Sequence, residues 1–485
     1  MGIVLNQSIK NTFVTYAGFA IGAINVLFLF TKFVSAEYFG LVTFIFSTAN
    51  IMMPLMAFGV HNTIVKFYSS FKTRQSQNGF LSLMLLLPLA IILPSVLIGS
   101  LAFDTISDWL SKENPIVKDY TWYIIISAIA FAYFEVFYAW SKVQLQSVFG
   151  NFMKEVFHRL CTTVLLICLY FNYITAEELV VGMVVVYIIR MVIMKIYAFF
   201  LRFPVFRLIK LKGIVPILKY SALIIIAGSI ANIILEIDKF MLGKYVEIEN
   251  VAYYGVAIYI ATVIGVPYRS MNQITNPLTA KLLNEKNKVG LKVLYQKSSL
   301  SLFIISGFIF LIILLNINQL YLLMPNQYTN GIVVVFVIGL AKLSDNLLGN
   351  NNAILFNSDY YRVVLVMGVF LAFSTVFLNT VFIPWLGVNG AAYATCITIF
   401  LYNTIKVLFV YNKFKIHPFT ASTIKVLVLI VFCGLAFYFW DFPFHPILSI
   451  GLKSLLISLL YGFIVYNFNL SEDISSLINK LLKLR

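Results

Sequence analysis

The stretch 383-IPWLGVNGAAYAT-395 places a proline and two glycines between two long apolar segments, residues 361-383 and 389-411. Because proline has no backbone N–H to donate, Pro384 is expected to end a helix. Gly387 and Gly390 then permit a turn and allow the next helix to start close to its neighbour. The stretch therefore predicts two adjacent helices joined by a tight connection.

Apolar segments of similar length repeat along the rest of the chain. Hydrophobic residues make up 61% of the 485 residues and charged residues 11%, which leaves too little polar surface for a soluble domain. Because a crossing needs about 20 apolar residues, we predict an all-α integral membrane protein with about 14 transmembrane helices. They lie at residues 11-33, 39-65, 79-102, 119-141, 152-172, 179-200, 216-238, 252-275, 298-317, 331-356, 361-383, 389-411, 422-440 and 446-466.

The connections between these segments alternate in charge. Those on one side are rich in Lys and Arg, whereas those on the other side are short and acidic. Because basic loops stay in the cytoplasm, we predict a cell (cytoplasmic or inner) membrane protein with both termini cytoplasmic. The basic side includes Lys72, Arg74, Lys142, Lys154, Arg159, Arg202, Arg207, Lys210, Lys212, Lys286, Lys288, Lys480, Lys483 and Arg485, and the acidic side includes Asp104, Asp108, Glu113, Glu177, Glu178, Glu247 and Glu249.

The first long basic loop falls after six predicted helices. We therefore predict an N-terminal lobe at residues 1-200, a cytoplasmic inter-lobe loop at 201-215, a C-terminal lobe at 216-415, and two further helices with a cytoplasmic tail at 416-485. A faint repeat supports the two lobes, since Lys32-Phe33 recurs as Lys239-Phe240. An even number of helices in each lobe predicts a parallel repeat about the membrane normal.

Several functional classes are disfavoured by the residue pattern. The net charge of +16 comes from short loops rather than from a basic arm, so nucleic acid is not an expected partner. The four cysteines lie apart in apolar segments, the four histidines are scattered, and no H-E-x-x-H, D-x-D or phosphate-cradling loop occurs. We expect no catalytic residue, no metal site and no cofactor. Because these motifs are missing, a membrane-embedded polysaccharide polymerase is a less favoured alternative.

Ionisable side chains deep inside a membrane helix are costly and mark candidate functional sites. Arg190, Lys342 and Asp345 are expected near the midplane, lining a central space. Lys342 and Asp345 lie three residues apart, on a polar stripe that continues with Asn346, Gly349 and Asn352. The alternative is an ion pair between Lys342 and Asp345 that neutralises both charges and only packs helices together.

Three further ionisable residues are candidates. Arg269 shares a helix face with Asn272, Gln273 and Asn276, and Pro267 is expected to kink that helix; the alternative is an arginine that snorkels to the membrane interface. Glu135 and His61, together with Asp345, are candidates for H+ or Na+ coupling, with structural hydrogen bonding as the alternative for Glu135 and His61.

Two motifs resemble a known family. One is Asp238-Lys239-Phe240-Met241-Leu242-Gly243 followed by Ala252-Tyr253-Tyr254-Gly255, and the other is the stretch at residues 383-395. Both are similar to the polysaccharide biosynthesis (O-antigen) flippase family of the multidrug/oligosaccharidyl-lipid/polysaccharide exporter superfamily. The resemblance implies a V-shaped fold of two pseudo-symmetric six-helix lobes plus two C-terminal helices. It also implies a flippase, not an enzyme, for a polyprenyl-diphosphate-linked oligosaccharide in O-antigen (lipopolysaccharide), capsule or exopolysaccharide synthesis, with polymerase and chain-length proteins as partners.

Charge matching supports this cargo, because a basic cavity would attract a diphosphate and aromatic side chains could stack on sugars. The expected mechanism is alternating access through a basic central cavity, while the lipid tail stays in the bilayer. A cell-wall lipid precursor flippase remains an alternative because its cargo carries the same diphosphate. A drug or cation exporter of the same superfamily is another, although it would favour acidic groups in the cavity.

Overall fold

The computed structural model describes residues 2–205 and 214–481. The structure is 86% helix, and no strand occurs in these residues, which confirms the predicted all-α class. Contacts divide the chain into two compact units, Met1–Gly255 and Val256–Arg485.

The first unit contains twelve helices in the described residues: α1 (Gly2–Ile24), α2 (Phe30–Phe33), α3 (Ala36–Met56), α4 (Val60–Phe67), α5 (Arg74–Leu86), α6 (Leu89–Leu101), α7 (Phe103–Ser111), α8 (Val117–Val143), α9 (Val148–Phe152), α10 (His158–Tyr170), α11 (Ala176–Leu201) and α12 (Ile214–Tyr245). A π-helical turn at Asn25–Leu29 joins α1 to α2, and another at Met153–Phe157 joins α9 to α10.

The helices that follow are α13 (Glu249–Thr262), which runs across the boundary between the units, α14 (Val266–Asn284), α15 (Lys288–Leu315), α16 (Ile317–Tyr321), α17 (Ile332–Leu347), α18 (Asn351–Phe356), α19 (Tyr361–Phe414), α20 (Ala421–Tyr438), α21 (Pro446–Asn467) and α22 (Glu472–Leu481). Across both described ranges, eleven helical stretches are long and apolar enough to cross a membrane, or twelve if the bent pair at residues 215–245 is one span.

The core of the first unit lies where α3, α8, α11 and α12 pack together. Trp140, Phe134 and Phe44 are fully buried there. Gly243 of α12 lies directly against the ring of Phe44, where a Cβ would overlap the ring. This close packing fixes the helices that carry the polar residues of the unit.

The first of the two family-like motifs is held together by a buried hydrogen bond. The hydroxyl of Tyr254 donates to the carboxylate of Asp238, so the end of α12 is tied to the start of α13. Both side chains are buried. Since a buried carboxylate is costly without a donor, the Asp and the Tyr of this motif have a structural reason to occur together.

The second motif forms the predicted turn. Gly387 has φ +54° and ψ −128°, a conformation that only glycine adopts easily, and it interrupts α19. Gly390 lies against the backbone carbonyl of Phe382, where a Cβ would overlap the oxygen. The predicted roles of Gly387 and Gly390 are confirmed, because the chain turns at one glycine and packs against itself at the other.

Two polar helices of the second unit are broken. The backbone turns 3₁₀-helical at Val263–Gly265, and Pro267 then stands in the first turn of α14; the predicted kink at Pro267 stays a prediction. The prediction of one continuous segment at residues 331-356 is wrong, since α17 ends at Leu347 and Gly349 has φ +55° before α18 begins.

The predicted lobe boundaries stay a prediction. Helix α12, which the sequence places in the second lobe, packs against α3 inside the first unit. Residues 206–213 of the predicted inter-lobe loop, with Arg207, Lys210 and Lys212, lie outside the described residues, as do Lys483 and Arg485 at the end of the tail.

Candidate functional site

A polar cavity of about 320 Å³ lies within the first unit. Helices α3, α8, α10, α11 and α12 and the π-helical turn at Met153–Phe157 supply its walls. The lining residues are Asn50, Met53, Phe131, Glu135, Lys154, Glu155, His158, Arg159, Tyr187, Arg190, Asn232, Leu235 and Glu236. Two of the sequence candidates, Arg190 and Glu135, are therefore brought together, whereas His61 does not line this cavity.

Arg190 projects into this cavity from α11. Its guanidinium carbon lies 4.1 Å from the ring centre of Phe134, 4.7 Å from that of Tyr187 and 5.6 Å from that of Phe131. The side chain is only 7% exposed, and its Nε has no hydrogen-bond partner. Within residues 2–205 and 214–481, no carboxylate forms a salt bridge with it. Cation–π contacts hold the guanidinium without neutralising it.

Each carboxylate of the cavity lining, by contrast, has a cationic partner. Glu135 accepts from Lys154 at 2.6 Å and Glu155 from Arg159 at 3.2 Å. Glu236 accepts from Lys239 at 2.8 Å. Arg190 is then the surplus cation among these paired groups. The lining itself holds three cations and three carboxylates, and Arg190 remains unpaired because Lys239, from outside the lining, pairs with Glu236.

The charge pattern counts Lys154 and Arg159 with the basic loops, although both fall inside the predicted segment 152-172; the structure places both in helix and not in a loop. The π-helical turn at Met153–Phe157 continues the helical path through both residues and turns them into the cavity wall. Two cations near a predicted helix end look like a positive-inside signal. The signal available in the sequence was Glu155, whose carboxylate offers a partner four residues before Arg159.

Three further lining residues were not predicted from the sequence: His158, and the amides Asn50 on α3 and Asn232 on α12. The ring of His158 stacks on that of Tyr187 with centroids 5.5 Å apart, and its Nδ1 is buried without a partner. Asn232 donates to the backbone carbonyl of Asn50 at 2.7 Å and so ties α12 to α3 at the cavity wall. His61 pairs through Nε2 with the Nδ2 of its neighbour Asn62, at 3.2 Å.

The second unit contains Lys342 and Asp345 on α17. The carboxylate of Asp345 accepts from Nδ2 of Asn403 at 2.9 Å, and the same amide donates to Ser344 Oγ. No salt bridge joins Lys342 to Asp345 in the described chain. The ion pair considered as an alternative from the sequence does not form, so Asp345 is held by an amide and Lys342 stays half-buried without a carboxylate.

Lys406, on α19, is a deeply buried cation of the second unit. It is 3% exposed, its Nζ donates to Asn352 Oδ1 at 3.2 Å, and it lies 4.3 Å from the ring centre of Tyr402. Asn352 in turn donates to the hydroxyl of Tyr268 at 3.1 Å. The sequence contained the necessary signal, because Lys406 falls inside the predicted segment 389-411, as Arg190 does in its own segment.

The rest of the predicted polar stripe has structural partners. Asn346 donates to the carbonyl of Ile264 and to Ser306 Oγ, both at 2.7 Å. Arg269 is exposed on α14, and Asn276 of the same predicted face accepts from Asn357 at 2.6 Å. Asn346 therefore ties α17 to its neighbours, whereas Arg269 is available for contacts outside the unit's core.

The Glu135–Lys154 pair is expected to stabilise the first unit. We expect the double-mutant cycle of Glu135→Gln and Lys154→Met to give a coupling free energy of about 1–2 kcal/mol, because removing either partner leaves the other unpaired and the side chain of Glu135 is only 15% exposed. Thermal unfolding of the purified variants measures this coupling. The exposed Lys118–Asp108 pair is the control, with an expected coupling below about 1 kcal/mol. Equal coupling in both pairs would contradict the prediction.

Lys406 is expected to matter for transport more than for folding. Lys406→Met should leave the melting temperature unchanged or higher, since burying an ammonium without a bonded carboxylate is costly. Translocation should fall by about tenfold if the ammonium contacts an anionic cargo. Lys413→Met, at the exposed end of the same helix, is the control. A large drop in melting temperature would instead make Lys406 a structural residue.

Comparison with known proteins gives one family match. The family model described as "Polysaccharide biosynthesis protein" matches residues 5–283. No sequence among the curated proteins matches the chain.

Several solved structures share the fold. A lipid II flippase MurJ in an inward closed conformation superposes with a TM-score of 0.73 at 14% identity, over 96% of this chain and 100% of that one. An inward-facing multidrug resistance MATE transporter of the MOP superfamily gives a TM-score of 0.59 at 12% identity, over 86% and 95%. A MATE protein in a bent conformation gives 0.55 at 15% identity, over 85% and 95%. At these identities the likeness establishes the fold alone. These neighbours are transporters and a flippase, not enzymes.

Proposed function

The chain belongs to the polysaccharide biosynthesis protein family, and from this premise we propose that it is a flippase for a polyprenyl-diphosphate-linked oligosaccharide. The cargo moves from the cytoplasmic to the outer leaflet and serves O-antigen, capsule or exopolysaccharide synthesis. The surplus charge of Arg190 carries this proposal, because a membrane-embedded guanidinium with no carboxylate partner suits an anionic ligand. Two of its aromatic neighbours, Phe131 and Tyr187, line the same cavity and are candidates for stacking on sugar rings.

The candidate cargo contacts are distributed over both units. Arg190 is the main candidate in the first unit, and Lys342, Asp345 and Arg269 are candidates in the second. Lys342 and Arg269 form no salt bridge among the described residues, so their charges suit a phosphate. Asp345 holds Asn403 instead and suits a hydroxyl of the sugar or a coupling cation.

The two rival transport functions differ in the charge they require. A drug or cation exporter needs an uncompensated carboxylate, and every carboxylate lining the first-unit cavity is paired. Asp345 in the second unit, held by an amide alone, is the one candidate residue that would suit this rival. A cell-wall precursor flippase would use the same Arg190 chemistry, because its cargo has the same diphosphate. We favour the oligosaccharide because the chain matches the polysaccharide biosynthesis family. The vesicle experiment below therefore compares the oligosaccharide with the cell-wall precursor.

We also propose fourteen membrane crossings in two six-helix lobes plus two further helices. The eleven candidate spans count α19 once, although a helix of 54 residues is about 80 Å long and turns at Gly387. They also exclude the charged run from α9 to α10 and the bent pair at residues 215–245. Counting these stretches as crossings restores the fourteen expected from the sequence.

The setting of the proposed transport is the cytoplasmic (inner) membrane, with both termini in the cytoplasm. Polymerase and chain-length proteins of the same synthesis are the proposed partners. We propose H+ or Na+ as the coupling ion, with Glu135, Asp345 and His61 as its candidate sites. Alternating access stays a prediction from the sequence.

Purified protein in vesicles tests the cargo. Three cargoes are compared: a fluorescent polyprenyl-diphosphate oligosaccharide, a cell-wall precursor lipid with the same fluorophore, and a cationic dye. We expect protein-dependent flipping of the first, measured as fluorescence that becomes accessible to a membrane-impermeant quencher. Flipping of the precursor alone would identify the rival flippase, and transport of the dye alone would overturn the lipid-linked cargo.

A deletion strain provides the cellular measurement. Lipid-linked oligosaccharide should accumulate on the cytoplasmic face of the membrane and should clear when the gene is restored. Normal surface polysaccharide in the deletion strain would contradict the proposed function even if vesicles show activity.

A further inference from the structure

A second cavity, of about 410 Å³, lies within the first unit and is almost entirely apolar. Helices α3, α6, α7, α8 and α12 form its walls. The hydroxyls of Thr48 and Thr121 in these walls donate to carbonyls of their own helices, Phe44 and Val117. Apart from the hydroxyl of Ser95, the surface presented to an occupant is therefore carbon, and no lining residue is charged.

The short helix α7 forms one wall of this cavity, and its two ends are fixed. Phe103 stacks on Trp122 with centroids 5.5 Å apart. Near the other end of α7, Lys244 donates to the carbonyl of Trp109 and lies 4.2 Å from its ring centre. Asn114, just beyond α7, donates to the carbonyl of Gly243 at 2.8 Å. The cavity is thus a built feature of the unit rather than a loose gap.

The mouth of the cavity faces the region that lipid occupies. Ile98 lines the cavity and is 60% exposed, and Leu101 on the same helix is 80% exposed. Both residues lie in the candidate membrane span Arg74–Leu101, so their exposed surface meets hydrocarbon in a bilayer. An occupant would enter from the bilayer, not from water.

The size and the charges select one kind of occupant. An apolar cavity of about 150 Å³ can bind one benzene, so 410 Å³ suits a hydrocarbon of roughly sixteen carbons, the length of one phospholipid acyl chain. Helix α7 carries Asp104 and Asp108; Asp108 is paired with Lys118, whereas Asp104 has no salt bridge within the described residues. The carboxylate of Asp104 would repel a polyprenyl diphosphate, whereas it favours an ammonium headgroup.

We propose that this cavity binds one acyl chain of an aminophospholipid such as phosphatidylethanolamine, with the ammonium near the carboxylate of Asp104 on α7. The site is distinct from the polar cavity but shares its helices. Ile51 and Ile237 line the apolar cavity, while Asn50 and Glu236, next to them in sequence, line the polar one. A bound chain therefore packs on a neighbouring side, about 100° around the axis, of helices α3 and α12, which also line the polar site.

Fluorescence quenching of Trp109 tests the site in the purified full-length protein. The probe is phosphatidylethanolamine brominated on one acyl chain, titrated into detergent micelles at fixed protein concentration. We expect a saturable quenching component that disappears in Trp109→Phe. Ser95→Phe, which fills the cavity from α6, should abolish the component, whereas Leu93→Phe, exposed on the same helix and outside the cavity, should retain it.

A second pair of variants, on α8, tests the site independently if Ser95→Phe does not fold. Ile125→Phe fills the cavity and Ile126→Phe does not, so only the first should lose the saturable component. Quenching that rises linearly with lipid in every variant would overturn the proposal, because it reports only lipid around the protein. Competition by a polyprenyl phosphate but not by unbrominated phosphatidylethanolamine would overturn the assigned occupant. The binding readout does not depend on transport, so failure of the proposed function would leave it intact.

Discussion

Replacing Arg190 with methionine is expected to reduce translocation of the lipid-linked oligosaccharide about 10- to 100-fold, because a charge-assisted hydrogen bond to a phosphate contributes roughly 1.5–3 kcal/mol. Thermal stability should not fall. The guanidinium is buried without a carboxylate partner, so its removal relieves a desolvation cost. Vesicle flipping assays and thermal unfolding of the same preparation measure both effects.

Two further variants separate charge from position. Arg190→Lys keeps the positive charge but loses the planar guanidinium, so partial activity is expected. Lys195→Met removes a cation from the exposed side of the same helix and should leave translocation unchanged. Normal flipping by Arg190→Met would refute the site, while loss of both activity and folding would make Arg190 a structural residue held by Phe134 and Tyr187.

Replacing Gly390 with valine is expected to destabilise the protein by about 3 kcal/mol or more. A Cβ at this position overlaps the carbonyl oxygen of Phe382, and backbone cannot move aside as a side chain can. The expected observation is a large loss of monodisperse protein, with a lower melting temperature in what remains.

Gly451→Ala provides the matched control for this substitution. Gly451 lies in α21 with open space around its Cα, and its φ is not positive. Its replacement should be neutral or stabilise the helix by up to about 1 kcal/mol. Equal stability of Gly390→Val and Gly451→Ala would show that the turn at Gly387 is not packed as described.

The fold class was accessible from the sequence because it depends on composition and local chemistry. The all-α class follows from apolar length alone, and Gly387 and Gly390 have one dominant physical explanation, a turn with close packing. Helix interruptions were harder to predict. Gly349 divides a segment that hydropathy alone presents as continuous, since hydropathy measures polarity and not backbone conformation.

The candidate site was only partly predictable for a related reason. Arg190 and Glu135 stood out as charges inside apolar segments, and the structure places both at one cavity. Lys154 and Arg159 join them through a π-helical turn, which depends on tertiary packing and leaves no simple sequence pattern. Which cation remains without a partner depends on pairings between different helices, and these cannot be read from spacing along one helix.

The π-helical turn at Met153–Phe157 also has an evolutionary consequence. Before it, Asn151 donates to the carbonyl of Asn11 at 3.0 Å, and after it, Asn25 donates to the carbonyl of Arg159 at 2.8 Å. Each residue advances a helix by about 100°, so deleting one codon within the turn would rotate one of these contacts out of register with the other. The joint formation of these two contacts therefore depends on the extra residue that the π-helical turn accommodates.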